Sequence, residues 1–249
     1  MNITAKLRRR LYIIPVTTFI LGTWQIYRLR WKLDLISKMK DRTTREPIPI
    51  PSDLKHRCQE LLYSHVSLSG NYDHSSELYL FPRPFNADRI ALPTYRPNHP
   101  GIQVITPFYC NELKARILVN RGWIPKQQKN PNTRQEGQLQ GEVTLVGMVR
   151  DSSKSFVYSG KNRPEINEWQ YVDVNEMSGI CGTEPIILDC SYESSIQGGP
   201  IGGQTNINIR NKHVEYICVW YGLTVVIGYI LFKSRASLPR KQFPLIRNK

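Results

Sequence analysis

Charge divides this chain into blocks before any motif is visible. Leu11–Tyr27 and Tyr216–Phe232 contain no Asp, Glu, Lys, Arg or His and are mainly apolar, whereas the stretch between them mixes apolar and polar positions as a water-soluble domain does. A helix rises about 1.5 Å per residue, so each 17-residue run spans roughly 25 Å, the short end of what a bilayer core requires. Arg28, Arg30 and Lys233 flank the runs and can reach the interface to extend them. The layout predicts a membrane α-hairpin. Its first transmembrane helix covers 11–27, a soluble domain covers 28–215, a second transmembrane helix covers 216–232, and tails cover 1–10 and 233–249. A pair of buried core helices is the competing reading, and the clean absence of charge between basic flanks counts against it. Thr23-Trp24-Gln25 is a poor small-residue cleavage site, which disfavours a signal peptide.

Periodicity changes along the middle block. Leu29, Leu33, Ile36 and Met39 continue a helical spacing to about Lys40. Pro47, Pro49 and Pro51 then make Arg45–Ser52 a stiff linker, and Ser52 opens a short helix ending near Leu62. Beyond that the chain reads as strands and turns, with alternation over Tyr63–Tyr72 and Thr205–Ile209. Strands are expected over Tyr63–Tyr72, Glu77–Phe81 (stopped by Pro82), Ile102–Tyr109, Ala115–Asn120, Gly141–Val149, Glu168–Val174, Pro185–Asp189 and Thr205–Ile209. Lys126–Gln140 is polar and unpatterned, and reads as an exposed loop. About eight strands separated by turns predict a mainly antiparallel β domain, as a barrel or an open sheet, with one or two short helices.

The formal charge of +14 is unevenly placed. Lys6, Arg8, Arg9 and Arg10 precede the first run; Lys233, Arg235, Arg240, Lys241, Arg247 and Lys249 follow the second; neither tail holds an acid, which leaves +4 for everything between. The excess therefore flanks the apolar runs and argues for the positive-inside rule rather than for nucleic acid. Both tails should stay on the synthesis side, in cytoplasm or mitochondrial matrix, with the middle exported. The middle has no N-x-[ST] sequon, which fits the mitochondrial intermembrane space or a bacterial periplasm. Cys58, Cys110, Cys181 and Cys190 lie in the middle and Cys218 in the second run; no C-x-x-C exists, so zinc and thioredoxin-like chemistry are unsupported, and one unassigned disulfide stays open.

Trp24, Arg28 and Trp31 share one helix face at i, i+4, i+7; His213, Tyr216 and Trp220 share another at i, i+3, i+7. A hairpin brings both stripes to one membrane surface. An aromatic interface belt is one reading. It leaves His213 and the cluster of Arg28, Arg30 and Lys32 unexplained; an imidazole, cations and flat rings together suit haem, with His213 as axial ligand, and the alternative is an interfacial His213 hydrogen-bonded to backbone. Val119–Pro125 reads as a strand entering an Asn-Arg-Gly turn that needs positive φ at Gly122. It is either a packed corner or a partner-docking surface made of Arg121, Gly122 and Trp123. Gly198–Gly203 lacks a following Lys-Ser or Lys-Thr and reads as a flexible turn. Asp73-His74 with Glu77 reads as a polar surface cluster rather than a metal site. With no nucleophile elbow, zincin motif or paired carboxylates, enzymatic chemistry has no visible carrier.

Leu21-Gly22-Thr23-Trp24-Gln25 with Arg28 and Trp31-Lys32, Gly70–His74 with Pro82-Arg83, Val119–Pro125, Asn167-Glu168-Trp169 with Asp173-Val174, Pro200–Gly203, and Asn211–Tyr216 with Trp220–Leu223 together resemble the Surfeit locus protein 1 family. The resemblance runs in order through almost the whole chain. It implies a non-enzymatic assembly factor for mitochondrial cytochrome c oxidase, held in the inner membrane by two spans with both termini in the matrix. Such a factor acts early in maturation of the oxidase's largest subunit, subunit 1, with assembly intermediates and other assembly factors as partners. It also implies haem a delivery or stabilisation, with His213 at the position of the family's haem-associated histidine. A cofactor-free scaffold and a membrane-tethered enzyme are the alternatives. Lys212 departs from the family pattern, and no long transit peptide precedes the first run.

Overall fold

The computed structural model describes residues 11–87, 90, 92–152, 160–205 and 211–236, without the side chains of 235 and 236. The chain divides into two compact units, Met39–Asn208 and the remainder, Met1–Lys38 with Ile209–Lys249.

The larger unit is a β-barrel. Its strands are β1 (Ile48–Pro49), β2 (His65–Tyr72), β3 (Leu78–Pro84), β4 (Pro100–Cys110), β5 (Ala115–Pro125), β6 (Val143–Arg150) and β7 (Ile187–Cys190). They lie in the order β1-β2-β6-β7-β5-β4-β3, and an extra β2–β4 pairing closes the sheet on itself. Closure works by sharing edges. One edge of β2 carries β1 at Val66 and Ser67 and β4 at Gly70–Tyr72, while the other carries β6. Most pairs are antiparallel, as expected; β1–β2 and β5–β7 are parallel.

Strand alternation fills the barrel. Val66, Leu68, Phe108, Cys110, Ile117, Val119, Leu145, Val149, Leu188 and Cys190 point to one core. Leu118, between Ile117 and Val119, belongs to a second core with Leu80, Ile105, Trp169, Met177 and Ile187, lying under a short helix (Val174–Cys181). A strand buried on both faces reads as an unbroken apolar run, which is why Ile117–Val119 was visible in the sequence.

Four expectations need correction. Glu168–Val174 forms no strand: Asp173 caps the helix Val174–Cys181 by accepting from the Glu176 amide at 3.1 Å, and Trp169 forms a single parallel bridge to Leu80. β3 runs through Pro82 to Pro84, tolerated because it ends the strand order and Pro has no N–H to offer. The helix after Ser52 is only Leu54–Arg57. The region Lys126–Gln140 is two 3₁₀ segments, Lys126–Gln128 and Pro131–Gly137, with Arg134 buried inside. The strand expected at Thr205–Ile209 lies outside the described residues after Thr205. All five cysteines are free.

The smaller unit is a helix pair. We label the helices α1 (Ile13–Thr44, its first part in this unit) and α4 (His213–Ala236); the helices Leu54–Arg57 and Val174–Cys181 are α2 and α3. Contacts run in opposite sequence directions, Thr18 to Thr224, Thr23 to Tyr221 and Gln25 to His213, so α1 and α4 are antiparallel. Among the described residues one helix, over His213–Ser234, is long and apolar enough to cross a membrane, and its window is only 6% buried. The two-span expectation is met for that helix alone. In α1 the uncharged run is short and carries Thr17, Thr18, Thr23 and Gln25.

Candidate functional site

The seam of the helix pair is built from neutral polar groups. Thr18, Gly22 and Gln25, spaced i, i+4, i+7, are the buried residues of α1. Thr18 and Thr224 share a hydroxyl hydrogen bond of 2.8 Å, Thr23 meets the Tyr221 hydroxyl at 3.1 Å, and Phe19 packs edge-on to Tyr221 at 5.6 Å between centroids. Gly22 admits the Tyr221 ring: a Cβ there would lie 3.2 Å from it. At the end of the seam the Nδ1 of His213 lies 2.7 Å from Oε1 of Gln25. The backbone N–H of His213 donates to Asn211 Oδ1 at 3.2 Å. Nε2 of His213 has no partner among the described residues.

Of the stripes expected to form a pocket, only part converges. His213 meets Gln25 rather than an aromatic. Trp24, Trp31 and Tyr216 are about half exposed, at 51%, 50% and 51%, and Trp220 is intermediate. Arg28 sits between its own helix neighbours, 4.6 Å from the Trp31 ring and 6.0 Å from Trp24. Its Nε is buried, with no hydrogen-bond partner among the described residues. Sequence reasoning missed Gln25, although Thr18, Gly22 and Gln25 carry their own helical spacing.

The second constellation lies in the barrel, around Glu77. Where β5 faces β4, Val104 pairs with Gly122 and Ile105 with Asn120, so Arg121 is an extra residue, a β-bulge. Gly122 has φ 118°, so the expected positive φ is present, but within a continuing strand rather than a turn. A Cβ there would lie 2.0 Å from the Ile201 carbonyl oxygen. Pro200–Gly203 is therefore not a loose turn. Ile201 and Trp123 exchange two backbone hydrogen bonds of 2.8 Å, and Gly203 donates to the Cys190 carbonyl at 2.8 Å.

The bulge turns Arg121 inward, over the Tyr72 ring at 4.6 Å and 3.9 Å from the Glu77 carboxylate. Arg134 pairs with the same carboxylate, Gln138 donates to it at 3.2 Å and the Tyr79 hydroxyl at 3.1 Å. Both ring nitrogens of His74 face oxygens: Nε2 is 2.8 Å from the Leu139 carbonyl, and Nδ1 is 3.4 Å from Glu77. Burial alone would push the Glu77 carboxyl up; hydrogen bonds from His74, Arg134 and Gln138 and the Arg134 charge outweigh it and hold its pKa at about 2. Burial, aided by the Glu77 charge, lifts Tyr79 to about 12, and burial lowers Arg121.

Two sequence readings are corrected here. Asp73-His74-Glu77 is not a surface cluster, because Glu77 is 5% exposed and anchors the loop that carries Arg134. Arg121 and Trp123 are 5% and 0% exposed, so their side chains offer a partner almost nothing to touch. The Trp123 ring packs on Phe85 and Tyr95, and its Nε1 donates to the Arg83 carbonyl at 2.9 Å. The packed corner is the arrangement found. Nothing local marks Arg134, and sequence reasoning missed it.

A cavity of about 420 Å³ adjoins β5 and β7, with Gln103, Asn120, Arg150 and Asp189 among its lining. Its buried carboxylate is already engaged: Asp189 accepts from Asn120 at 2.9 Å and from Thr205, and pairs with Arg150 at 3.2 Å. No group of three or more His, Cys, Asp or Glu suited to a metal ion occurs among the described residues.

Comparison with known proteins adds the remaining finding. The family model described as "SURF1 family" matches residues 13–225. The chain is 44% identical over 228 residues to Surfeit locus protein 1 of Homo sapiens, covering 90% of this chain and 76% of that one. It is 45% identical over 228 residues to Surfeit locus protein 1 of Xenopus tropicalis, covering 90% and 74%. A SURF1-like protein of Caenorhabditis elegans is 41% identical over 222 residues, covering 86% and 69%.

Proposed function

Because this chain belongs to the SURF1 family, we propose that it is an assembly factor for mitochondrial cytochrome c oxidase, acting without catalysis of its own on early intermediates of the largest subunit. In this reading α1 and α4 both cross the inner membrane, both termini lie in the matrix, and the barrel stands in the intermembrane space, where it meets the oxidase subunit and other assembly factors. The observation that carries the reading is the helix pair. Over Ile13–Tyr27 and Tyr216–Phe232 its outward surface is apolar, its seam is polar but uncharged, and it ends in a histidine whose Nε2 has no partner among the described residues. Apolar exposure on this scale calls for lipid or for another membrane helix.

The donor set of the helix pair fits haem a. His213 would hold the iron through Nε2, and Arg28, whose buried Nε has no partner among the described residues, would face a propionate. Trp24, Trp31 and Tyr216 expose ring surface against which a macrocycle can lie. Haem, when bound, supplies the iron centre and the macrocycle that the oxidase incorporates; the chain's part is to orient it and shield it from water.

The test is purification in detergent from cells making haem a, comparing wild type with His213→Ala. Loss of the Soret band with oxidase subunits still co-purifying is the expected result. An unchanged band rules out ligation by His213, and the absence of any oxidase subunit removes the assembly reading. A cofactor-free scaffold is favoured by one observation, that Trp24, Trp31 and Tyr216 do not close around His213. It predicts a colourless protein that still co-migrates with oxidase intermediates.

A further inference from the structure

The contact between Gln25 and His213 decides more than packing. The atom of Gln25 facing the imidazole is its carbonyl oxygen, Oε1, 2.7 Å from Nδ1. That oxygen can only accept, so the hydrogen of a neutral imidazole sits on Nδ1, and Nε2 keeps its lone pair. Gln25 is itself fixed: it is buried, one helical step along the stripe that Gly22 and Thr18 press against α4. His213 is held at its backbone as well, through the N–H bonded to Asn211. A ring anchored at one nitrogen by a buried side-chain acceptor, with the other nitrogen unpartnered among the described residues, has the arrangement by which ligating histidines are oriented and made more basic.

We infer that Gln25 is the positioning residue for His213, holding the imidazole in the Nδ1–H tautomer so that Nε2 is presented as a ligand to haem iron. The inference rests on the haem reading above for the identity of the ligand, and on the seam geometry alone for the tautomer. It also gives Gln25 a reason to sit in a mainly apolar, uncharged run, where a buried side-chain amide is costly unless bonded.

The full chain, ¹⁵N-labelled at histidine and reconstituted in lipid nanodiscs, tests it. The five histidines are separated by the spectrum of His213→Gln, which lacks one signal pair. Wild type should show the His213 hydrogen on Nδ1. Gln25→Leu should move it to Nε2 or average the two tautomers, and should weaken haem uptake by about 10–100-fold. Gln25→Glu, which keeps an acceptor toward Nδ1, should restore both. Thr224→Val removes a comparable seam hydrogen bond without touching His213 and should leave the tautomer unchanged, which separates positioning from mere loosening of the helix pair. An Nε2–H tautomer in wild type overturns the inference, as does a tautomer indifferent to Gln25→Leu in a chain whose helix content is intact. A wild-type chain that holds the Nδ1–H tautomer yet takes up no haem defeats the haem reading alone.

Discussion

The barrel and the helix pair each contain an arginine set beside tryptophan, and the two use it oppositely. In the barrel, Arg121 and Trp123 are 5% and 0% exposed, the arginine turned toward Glu77 and Tyr72 and the tryptophan packed among rings. In α1, Arg28 lies between Trp24 and Trp31 on a surface that is half exposed. In sequence the two clusters look alike. Burial separates them: the first is closed inside the barrel, and the second leaves half of each tryptophan exposed. The units differ in charge as well. The barrel buries full charges and pairs them, Glu77 with Arg134 and Asp189 with Arg150, whereas the helix seam uses hydroxyls, an amide and an imidazole.

That contrast can be broken or sharpened by experiment. The largest effect is expected from Arg134→Ala, which leaves the buried Glu77 carboxylate without its main partner. It should cost about 3–5 kcal/mol of barrel stability, read by hydrogen exchange at β4 and β5, while His213 in the helix pair is unaffected. Gly122→Ala places a methyl against the Ile201 carbonyl at a left-handed φ, and a loss of about 3 kcal/mol with release of Pro200–Gly203 to proteolysis is expected.

Acid should act on the barrel in the same sense. Glu77 is held at about 2 from an ordinary 4.5, so it binds its proton more readily in the unfolded chain. Its contribution is complete above about pH 4.5 and fades as pH falls toward 2, by an amount on the order of 3 kcal/mol. Glu77→Gln should flatten that part of the stability-against-pH curve. The smallest effect is expected from Trp31→Ala: within about 0.5 kcal/mol on barrel stability, but a measurable loss of haem or of co-purifying subunits. If Trp31→Ala costs the barrel as much stability as Arg134→Ala, or Arg134→Ala costs less than about 1 kcal/mol, the division between joint and outward surface is wrong.

Much of the barrel could be read from its apolar segments. β2 alternates and β6 is a strong strand, whereas β4 and the first half of β5 read as apolar, β-branched runs because they face cores on both sides. The second half of β5 was hidden because the bulge at Arg121 shifts the alternation and inserts polar residues whose partners are distant in sequence. Helix α3 was missed because Trp169, Val172 and Val174 look like strand residues. Asp173-Val174-Asn175-Glu176 holds a helix-start signature that outweighs them, and Gly182 closes the helix at φ 61°. Arg134 was out of reach: its meaning comes from Glu77, 57 residues away. The face-sharing of Trp24, Arg28 and Trp31 was legible, and so was His213. What the stripe rule could not show is that the residue opposite His213 is a glutamine on the neighbouring face.

The closure of the sheet limits how an extended chain could pair with this barrel. Both edges of β2 are occupied, and β4 is paired along its length. The free side of β3 is taken up by Trp169, which exchanges backbone hydrogen bonds with Tyr79 and Phe81, and beyond it stand Pro82 and Pro84 with no N–H to give. The remaining margin is the two residues Ile48 and Pro49. An extended client chain thus finds no continuous run of backbone along the described margins into which it could be knitted as an added strand. On the assembly-factor reading proposed above, recognition by this barrel would pass through side chains and connecting loops, and so would select a shape rather than any unfolded polypeptide that drifts by.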